Sequence, residues 1–400
     1  MPRIPTLIVL VAAAVLSAPH AQAAIAELDP TFGNSGRVRL DESVVTDLDD
    51  VEVRGGKTYA SGVSLTAPRA LVVVRLLGDG TLDPTFGNSG IARYRLPVER
   101  HMSAMLDVTA DGRVLVVAQS TQQLTLLRLT SGGVLDDTFA DNGTRQWKAP
   151  ARSSFLPPLV EEDSLGRAVV SAMEIKGDGA DVHIFRFRPG GKRDATFSDD
   201  GERVIDLNVY DWNDALAIGP QDRILLGTDN LGSGQRAPRS GALVRLRTDG
   251  GFDDKFSVDG VARFKLQPDG STWPTSIGIS GKGLITAAVV NPDNGYGAVR
   301  LRANGSFVRR YGDNGILGFT CFCYAGTSDV VGGRVAISGF RNEGPALAVR
   351  LSQDGQTISQ QSIDIFPGFR REVVNALTWS GAKLVMVGES DSAGFAARVL

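Results

Sequence analysis

Short apolar segments separated by glycine, aspartate and asparagine turns run through the whole chain. Four kinds of segment recur in a fixed order, exemplified by RVRL at 37–40, DLDDVEV at 47–53, KTYASGV at 57–63 and LVVVRL at 71–76. Alternating or continuously apolar segments of this length are typical of β-strands, and none keeps the spacing of about 3.6 residues that a long amphipathic helix needs. The pattern therefore predicts an all-β protein.

A nine-residue phrase marks each repeat of this pattern. It reads LDPTFGNSG from Leu28 and again from Leu82, weaker copies begin at 135, 193, 252 and 307, and an eroded copy begins near Thr357. The repeats are therefore about 54 residues long, which favours a propeller, since the coils of a β-solenoid are usually much shorter than about 50 residues. Four strands in each of seven repeats predict a seven-bladed β-propeller of four-stranded blades, with the solenoid as the alternative.

The two ends of such a ring should meet. An open fan of blades would leave two apolar blade faces exposed, so we expect the segment at 37–40 to pair with the strands near the C-terminus. Both ends of the domain, residues 24–400, should then lie in one blade. The sequence does not fix which strand of a repeat begins a blade.

The phrase itself has a structural interpretation. Its central phenylalanine, as in Phe32 and Phe86, is expected to pack between blades, its aspartate to cap the turn, and its closing glycine to supply a backbone angle that other residues resist. A calcium loop is the alternative. Calcium takes six or more oxygen ligands, often from several carboxylates, and most copies of the phrase offer one or two.

An arginine recurs at the same place in the fourth segment of every repeat. A guanidinium between apolar neighbours is expected to bridge to a turn aspartate such as Asp83 or Asp136, or to carbonyl groups of the next strand. A ring of anion-binding arginines is the alternative. The arginines are Arg75, Arg128, Arg186, Arg245, Arg300, Arg350 and Arg398.

The combination of LDPTFGNSG, DGRVLVVAQ at 111–119 and VVVRLLGDG at 72–80 resembles the bacterial delta-60 repeat family. The resemblance runs from about Leu28 to Leu400, and copies six and seven drift from the pattern. It implies a propeller-forming repeat of secreted or surface proteins. It implies no general enzymatic activity and supplies no catalytic residues.

The N-terminus predicts a signal peptide over residues 1–23. Arg3 precedes an apolar run from Ile4 to Leu16, and Ala21-Gln22-Ala23 forms a small-residue cleavage site. The apolar run is too short for a membrane anchor, so we expect no stable membrane insertion after cleavage. The expected location is the periplasm, the cell surface or the medium.

Charge and cysteine content limit the possible partners. The formal net charge is −3, and the linear sequence shows no basic stripe, so nucleic acid is not an expected partner. The two cysteines, Cys321 and Cys323, form Cys-Phe-Cys. In a strand they would lie too far apart for an unstrained disulfide, whereas in a turn the export route would favour oxidation. Disulfide and inert thiols both remain open, and a metal pair lacks enough ligands.

The loops between the first and second segments differ from repeat to repeat. In a propeller they emerge on one face and converge on the axis, so they form a rim where a ligand is expected. Aromatic rings, arginines and carboxylates there suit a carbohydrate or a protein or peptide of the cell envelope. The alternative is that these loops are polar only because they are exposed, with the tryptophans packed inside. The candidate ligand-binding residues are Arg100, His101, Tyr210, Asp211, Trp212, Trp273, Arg370, Arg371 and Glu372.

No motif for catalysis, phosphate binding, dinucleotide binding or metal ligation occurs in the chain, so no catalytic residue, cofactor or metal is assigned. Carboxylate pairs such as Glu161 and Glu162 do not by themselves place two groups across a cleft. The sequence favours an exported, monomeric binding or interaction module. A structural surface scaffold is the first alternative, and a polysaccharide-active lyase or hydrolase that uses rim residues is the second.

Overall fold

The structure is a computed structural model, and it describes residues 24–25, 27–66, 69–95, 103–120, 122–177, 179–207, 211–230, 240–267, 270–291, 295–320, 324–340, 346–356, 358–366 and 372–400. These residues form strands and turns, with a single 3-10 turn at Pro220–Asp222. The predicted all-β class is confirmed. No helix within the described ranges has the length and apolar character needed to cross a bilayer.

The strands follow one another without long interruptions. In chain order they are β1 (Ala24–Ile25), β2 (Arg37–Arg39), β3 (Asp47–Arg54), β4 (Lys57–Ser64), β5 (Ala70–Leu76), β6 (Ile91–Tyr94), β7 (Ala104–Val108), β8 (Val114–Ser120), β9 (Gln123–Leu129), β10 (Thr144–Lys148), β11 (Ser153–Phe155), β12 (Leu159–Glu162), β13 (Ala168–Lys176), β14 (Gly179–Phe187) and β15 (Glu202–Ile205). The second half comprises β16 (Ala215–Gly219), β17 (Arg223–Asn230), β18 (Ser240–Leu246), β19 (Val261–Phe264), β20 (Trp273–Ile279), β21 (Ile285–Asn291), β22 (Gly295–Leu301), β23 (Ile316–Thr320), β24 (Tyr324–Val331), β25 (Arg334–Phe340), β26 (Ala346–Leu351), β27 (Ile358–Ile363), β28 (Glu372–Ser380), β29 (Lys383–Ser390) and β30 (Ala393–Val399).

The strands form seven antiparallel sheets, which are the blades of the predicted seven-bladed propeller. Blades I to V are β3–β6, β7–β10, β11–β15, β16–β19 and β20–β23. Blade VI is β24–β27 with β1 added in parallel, and blade VII is β28–β30 with β2 added. In blade III the short strands β11 and β12 both pair with β13.

The sheet order settles the phase that the sequence leaves open. The second segment of each repeat is the innermost strand of a blade, and the first segment of the next repeat is its outermost strand. The nine-residue phrase therefore connects the third strand of a blade to its outermost strand. The start of the seventh repeat, at Thr357, lies outside the described residues.

The ring closes as predicted. Strand β2 pairs antiparallel with β30, with Arg37 opposite Ala397 and Arg39 opposite Phe395. Leu28 forms a further bridge to Val399. The outermost strand of blade VII, β2, therefore comes from near the beginning of the domain and the other three strands from its end. The prediction that both ends lie in one blade holds for β2 and β30, whereas the first described residues, in β1, pair with β27 of blade VI.

The core consists of apolar layers between neighbouring blades. One such layer joins Val51 and Val72 of blade I to Val385 and Ala396 of blade VII. Each phrase adds an aromatic ring to a layer, and burying a side chain of this size contributes about 1.5–3 kcal/mol. The fully or almost fully buried rings are Phe32, Phe86, Phe139, Phe197, Phe256 and Tyr311.

The repeated arginine links each phrase to the next blade. In blade I, Arg75 Nε lies 2.8 Å from Asp83 Oδ2, Arg75 donates to the Ser131 carbonyl in blade II at 2.5 Å, and its guanidinium lies 4.5 Å from the Phe86 ring centroid. Burial works against ionisation of Asp83, but hydrogen bonds from Lys57 and Thr85 and the charge of Arg75 hold its pKa well below the usual range. This arrangement confirms the structural interpretation of the phrase and of its arginine.

The same linkage recurs in the other blades. Arg128, Arg186 and Arg245 each hold the aspartate of their own phrase and a carbonyl oxygen of the following blade. In the last blade, Arg398 binds Asp29 at 2.6 Å and the Gly78 carbonyl of blade I at 2.6 Å. Arg300 and Arg350 lack a phrase aspartate and donate to the carbonyl groups of Gly333 and Leu400. The guanidinium groups therefore tie blade to blade.

Candidate functional site

The innermost strands surround a narrow cavity on the propeller axis. Its volume is about 330 Å³, and all seven blades contribute to its wall through β3, β7, β12, β16, β20, β24 and β28. Each of these strands runs from the rim of variable loops towards the turn that leads into the second strand of the blade. The cavity is therefore the place where equivalent residues of all the repeats face one another.

The strand registers show which residues of the inner strands are equivalent. In blade I, Glu52 lies opposite Tyr59, which lies opposite Arg75. The same register in every blade aligns one residue from each of the three inner strands, and these three residues form a row. Each row ends on the repeated arginine, whereas its first residue, on the innermost strand, differs between blades. The inner residues, from blade I to blade VII, are Glu52, Asp107, Glu161, Ala217, Gly278, Asp329 and Thr378. The outer end of the row is constant, while the inner end is acidic in blades I, II, III and VI.

Most of these carboxylates bind the inner strand of the next blade. Val108 N donates to Glu52 Oε2 at 2.6 Å, and Glu162 N donates to Asp107 Oδ2 at 2.6 Å. The nearby Asp50 Oδ2 accepts in the same way from Leu106 N at 2.9 Å. Asp329 Oδ2 likewise accepts from Trp379 N at 3.1 Å. An innermost strand has a free edge, and its N–H groups need partners because unpaired buried donors are costly. The acidic side chains supply these partners.

The position of these groups in a narrow cavity disfavours their charged form. Burial raises the pKa of Asp50 to about 7, and burial with the charge of Glu52 raises the pKa of Asp107 to about 7. Burial, followed by the charges of Asp107 and Glu52, raises the pKa of Glu161 well above its usual range. The cavity therefore holds carboxyl groups that exchange protons near neutral pH.

Glu161 differs from its neighbours in the wall. Asp50, Asp107 and Asp329 each accept a backbone hydrogen bond, whereas no described residue donates a hydrogen bond to the Glu161 carboxylate. The side chain of the adjacent Glu162 points to the opposite face of β12, because successive side chains of a strand alternate, and it does not line the cavity. Glu161 is therefore the carboxylate in this wall whose oxygens are engaged least by the fold.

The candidate residues named from the sequence divide into two groups. Five of them, together with Cys321 and Cys323, lie outside the described residues: Arg100, His101, Tyr210, Arg370 and Arg371. The other four, Asp211, Trp212, Trp273 and Glu372, lie at or just before the beginning of inner strands, beneath the predicted rim.

The described candidates support their loops from inside. Asp211 is fully buried and accepts a hydrogen bond from Leu207 N at 2.6 Å. Glu372 accepts from Phe366 N, and burial raises its pKa. Trp273 packs on the apolar layer between blades V and VI, and Trp212 is half-buried. These four side chains lie at the ends of the loops that were predicted to form the rim. The carboxylates of the cavity were not singled out by the sequence alone. The available signal was the presence of acidic residues inside segments otherwise typical of buried strands, as in DLDDVEV.

Three carboxylates meet at the top of blade III. One oxygen each of Asp181, Asp206 and Asp211 lies within 4.8 Å of the others, close enough to share a cation. Lys176 already donates to Asp181. Three oxygens are few for calcium, which takes six to eight, and the ammonium group offsets part of the negative charge.

Comparison with known proteins supports a propeller repeat. The model of a family described as "Domain of unknown function (DUF5122) beta-propeller" matches residues 56–86 and 109–139. Both matches run from the second strand of a blade into the phrase. This supports a β-propeller repeat family. No curated protein matches the chain.

Several solved structures are similar to this chain. The polysaccharide lyase Uly1 has 10% sequence identity and a TM-score of 0.55, with 88% of this chain and 89% of that chain covered. The propeller domain of the Trilobed protease from Pyrococcus furiosus has 8% identity and a TM-score of 0.49, with coverages of 88% and 94%. The PQQ-bound aldose sugar dehydrogenase from Streptomyces coelicolor has 13% identity and a TM-score of 0.44, with coverages of 75% and 96%. At these identities the likeness concerns the fold alone.

Proposed function

We propose that this protein is an exported, non-enzymatic binding module of the bacterial envelope that holds a small cationic group in its axial cavity. The observation that carries the proposal is the contrast within each row of the blades. The arginine end is the same in all seven blades, whereas the cavity end varies and gathers acidic side chains. A ring needs the constant end for its stability, and the varied end is where a ligand makes specific contacts.

The composition of the wall favours an amine. Six carboxylates and one guanidinium, that of Arg54, line the cavity in the described residues. Charges of one sign in a narrow cavity reinforce one another and attract the opposite charge. A volume of about 330 Å³ suits a small ligand or the end of a larger one, since such sites span about 300–1,000 Å³. The carboxylates are Asp50, Glu52, Asp107, Glu161, Asp214 and Asp329.

The variable loops lead directly into this wall. Arg100, His101, Tyr210, Arg370 and Arg371 stay candidates for contacts with the remainder of the ligand, such as a carbohydrate or peptide that bears an amino group. The signal sequence predicted at residues 1–23 supports export. The lack of a recognisable catalytic motif supports a binding role.

Isothermal titration calorimetry of the mature protein tests the proposal. The ligands are putrescine, a chitosan oligosaccharide and an acetylated chitin oligosaccharide that lacks the amines. We expect the amines to bind and Glu161→Gln to weaken binding by at least about tenfold, which corresponds to about 1.4 kcal/mol. Glu162→Gln is the matched control, because it removes the same charge from the same strand outside the cavity wall, and it should bind like the native protein.

Proton release gives a second readout at the same site. A bound cation favours the ionised carboxyl groups, so binding at neutral pH should release protons. The binding enthalpy should then differ between phosphate and Tris buffers, whose ionisation enthalpies differ. Equal binding of the amine and acetylated sugars, or calcium binding without amine binding, would contradict the proposed ligand. Absence of binding by all of these ligands would favour the scaffold role.

A further inference from the structure

The outermost strands bring basic residues together that are far apart in the sequence. In blades VII, I and II these strands and the residues that end them read RVR at 37–39, IARYR at 91–95 and TRQWK at 144–148, with no acidic residue. The blades are consecutive around the ring. The basic arc is defined as Arg37, Arg39, Arg93, Arg95, Arg145 and Lys148.

The arc is a local feature of the circumference. The outermost strands β23 and β27, in blades V and VI, carry no charged residue at all. Strand β15 in blade III carries Glu202 beside Arg203, and in blade IV Arg263 of β19 pairs with Asp259 at 2.9 Å. The chain as a whole is slightly acidic, with a net charge of −3. The arc is thus a positive surface on a weakly negative molecule, and such a surface attracts anions selectively.

Four charges of the arc, those of Arg93, Arg95, Arg145 and Lys148, make no ion pair among the described residues. Arg93 donates to the carbonyl groups of Ser43 and Val44, at 2.8 and 3.0 Å, and neutral acceptors leave its charge in place. Among the described residues, no hydrogen bond or ion pair engages the side chains of Arg95, Arg145 and Lys148. Lys148 and Arg95 are exposed and Arg145 is half-buried.

A groove accompanies the arc between blades VII and I. It measures about 820 Å³, and Arg37 and Arg39 line it together with one carboxylate, that of Asp41, and apolar side chains such as Val38 and Leu82. A wall of this kind offers apolar surface to the faces of sugar rings and guanidinium groups to their carboxylates. Because the arc curves around the ring, a flexible chain can follow three blades, whereas a flat membrane would meet a narrower part of it.

We propose that the basic arc and this groove bind an anionic polysaccharide that bears carboxylate groups. This surface lies on the circumference, apart from the axial cavity, and its role does not depend on the ligand of that cavity. Its contacts are mainly long-range and exposed, so binding should be moderate and should weaken as salt shortens the reach of the charges.

Surface plasmon resonance with immobilised polygalacturonate tests this assignment. The arc variant is Arg95→Gln/Arg145→Gln/Lys148→Gln, which removes no hydrogen bond within the described structure. The control variant is Lys192→Gln/Lys282→Gln/Arg310→Gln, which removes the same charge from exposed positions elsewhere. We expect binding at low salt, at least about tenfold weaker binding by the arc variant, and at most about a twofold effect in the control.

Four results would overturn the assignment. Absence of binding at low salt would do so, and so would equal weakening in both variants, which would indicate an effect of net charge alone. Binding to vesicles of phosphatidylglycerol without binding to polygalacturonate would identify the arc as a membrane-facing surface. Neutral dextran serves as the polymer without charge, and equal binding to dextran would also contradict the role of the arc.

Discussion

Replacing Asp107 by asparagine should stabilise the protein at pH 8, and by about a third as much at pH 5. Asp107 accepts one backbone hydrogen bond, from Glu162 N at 2.6 Å, and an amide oxygen can accept the same bond. The rest of the carboxyl group faces a cavity that it shares with Glu52 and Glu161. The substitution therefore preserves the bond and removes a charge from an acidic cavity.

The sign and size of the effect follow from proton linkage. The folded protein has a pKa of about 7 at Asp107, whereas an unfolded aspartate titrates near its ordinary value of about 3.9. Between these values the folded state binds a proton that the unfolded state has lost, so stability falls as pH rises through this window. The full difference corresponds to about 4 kcal/mol, and screening by solvent and shared protons reduces the expected gain at pH 8 to about 1–2 kcal/mol.

Urea unfolding at both pH values measures this effect. The fluorescence of the four tryptophans reports unfolding, and Asp137→Asn provides a control in which an exposed carboxyl is removed outside the cavity. Asp107→Asn should raise the unfolding midpoint at pH 8, and by about a third as much at pH 5, while the control should match the native protein. Equal destabilisation by Asp107→Asn at both pH values would refute the reasoning, because it would show a packing role without a charge effect.

Three further substitutions test the links between blades, each by urea unfolding. Tyr311→Phe should stabilise by about 1 kcal/mol, because its hydroxyl is buried without a hydrogen-bond partner among the described residues and other phrases carry phenylalanine there; a loss of stability would reveal a missed partner. Arg128→Lys should destabilise by about 2–3 kcal/mol, since an ammonium group cannot hold both Asp136 and the Pro189 carbonyl, and an unchanged midpoint would contradict that linkage. Gly90→Ala should destabilise by at least about 2 kcal/mol, because φ is +95° and a Cβ would lie 2.7 Å from that of Leu82; a neutral result would show that the turn relaxes.

The architecture could be predicted because the physics of each repeat is local. The phrase combines an aspartate that caps its turn, an aromatic ring and a glycine, and these roles follow from residue type. The recurring arginine, together with the turn aspartate that most copies of the phrase carry, predicted the bridges that Arg75 and Arg128 make. Closure followed from the cost of two open blade faces. These inferences needed only neighbours in sequence and a count of repeats.

The phase and the cavity depended on information that a linear pattern does not contain. Which strand lies innermost is decided by packing of the whole ring, so the residues facing the axis could not be assigned. An acidic residue inside a strand, such as Asp107, is read as solvent-facing by pattern alone. In the ring it faces a narrow cavity and caps the next blade. Likewise Asp211 was a rim candidate because it lies in a predicted loop, yet the fold buries its side chain completely.

A ring of repeats converts spacing along the chain into position around an axis. Glu52, Asp107 and Glu161 are separated by about one repeat each, so they become neighbours in the cavity wall. By the same rule, Arg93 and Arg145 become neighbours on the circumference, although no window of the sequence contains a basic stripe. Clusters of charge in such a chain are found by comparing residues that lie one repeat apart in the sequence. Acidic side chains in the cavity wall and a basic arc on the circumference can then coexist in a nearly neutral protein.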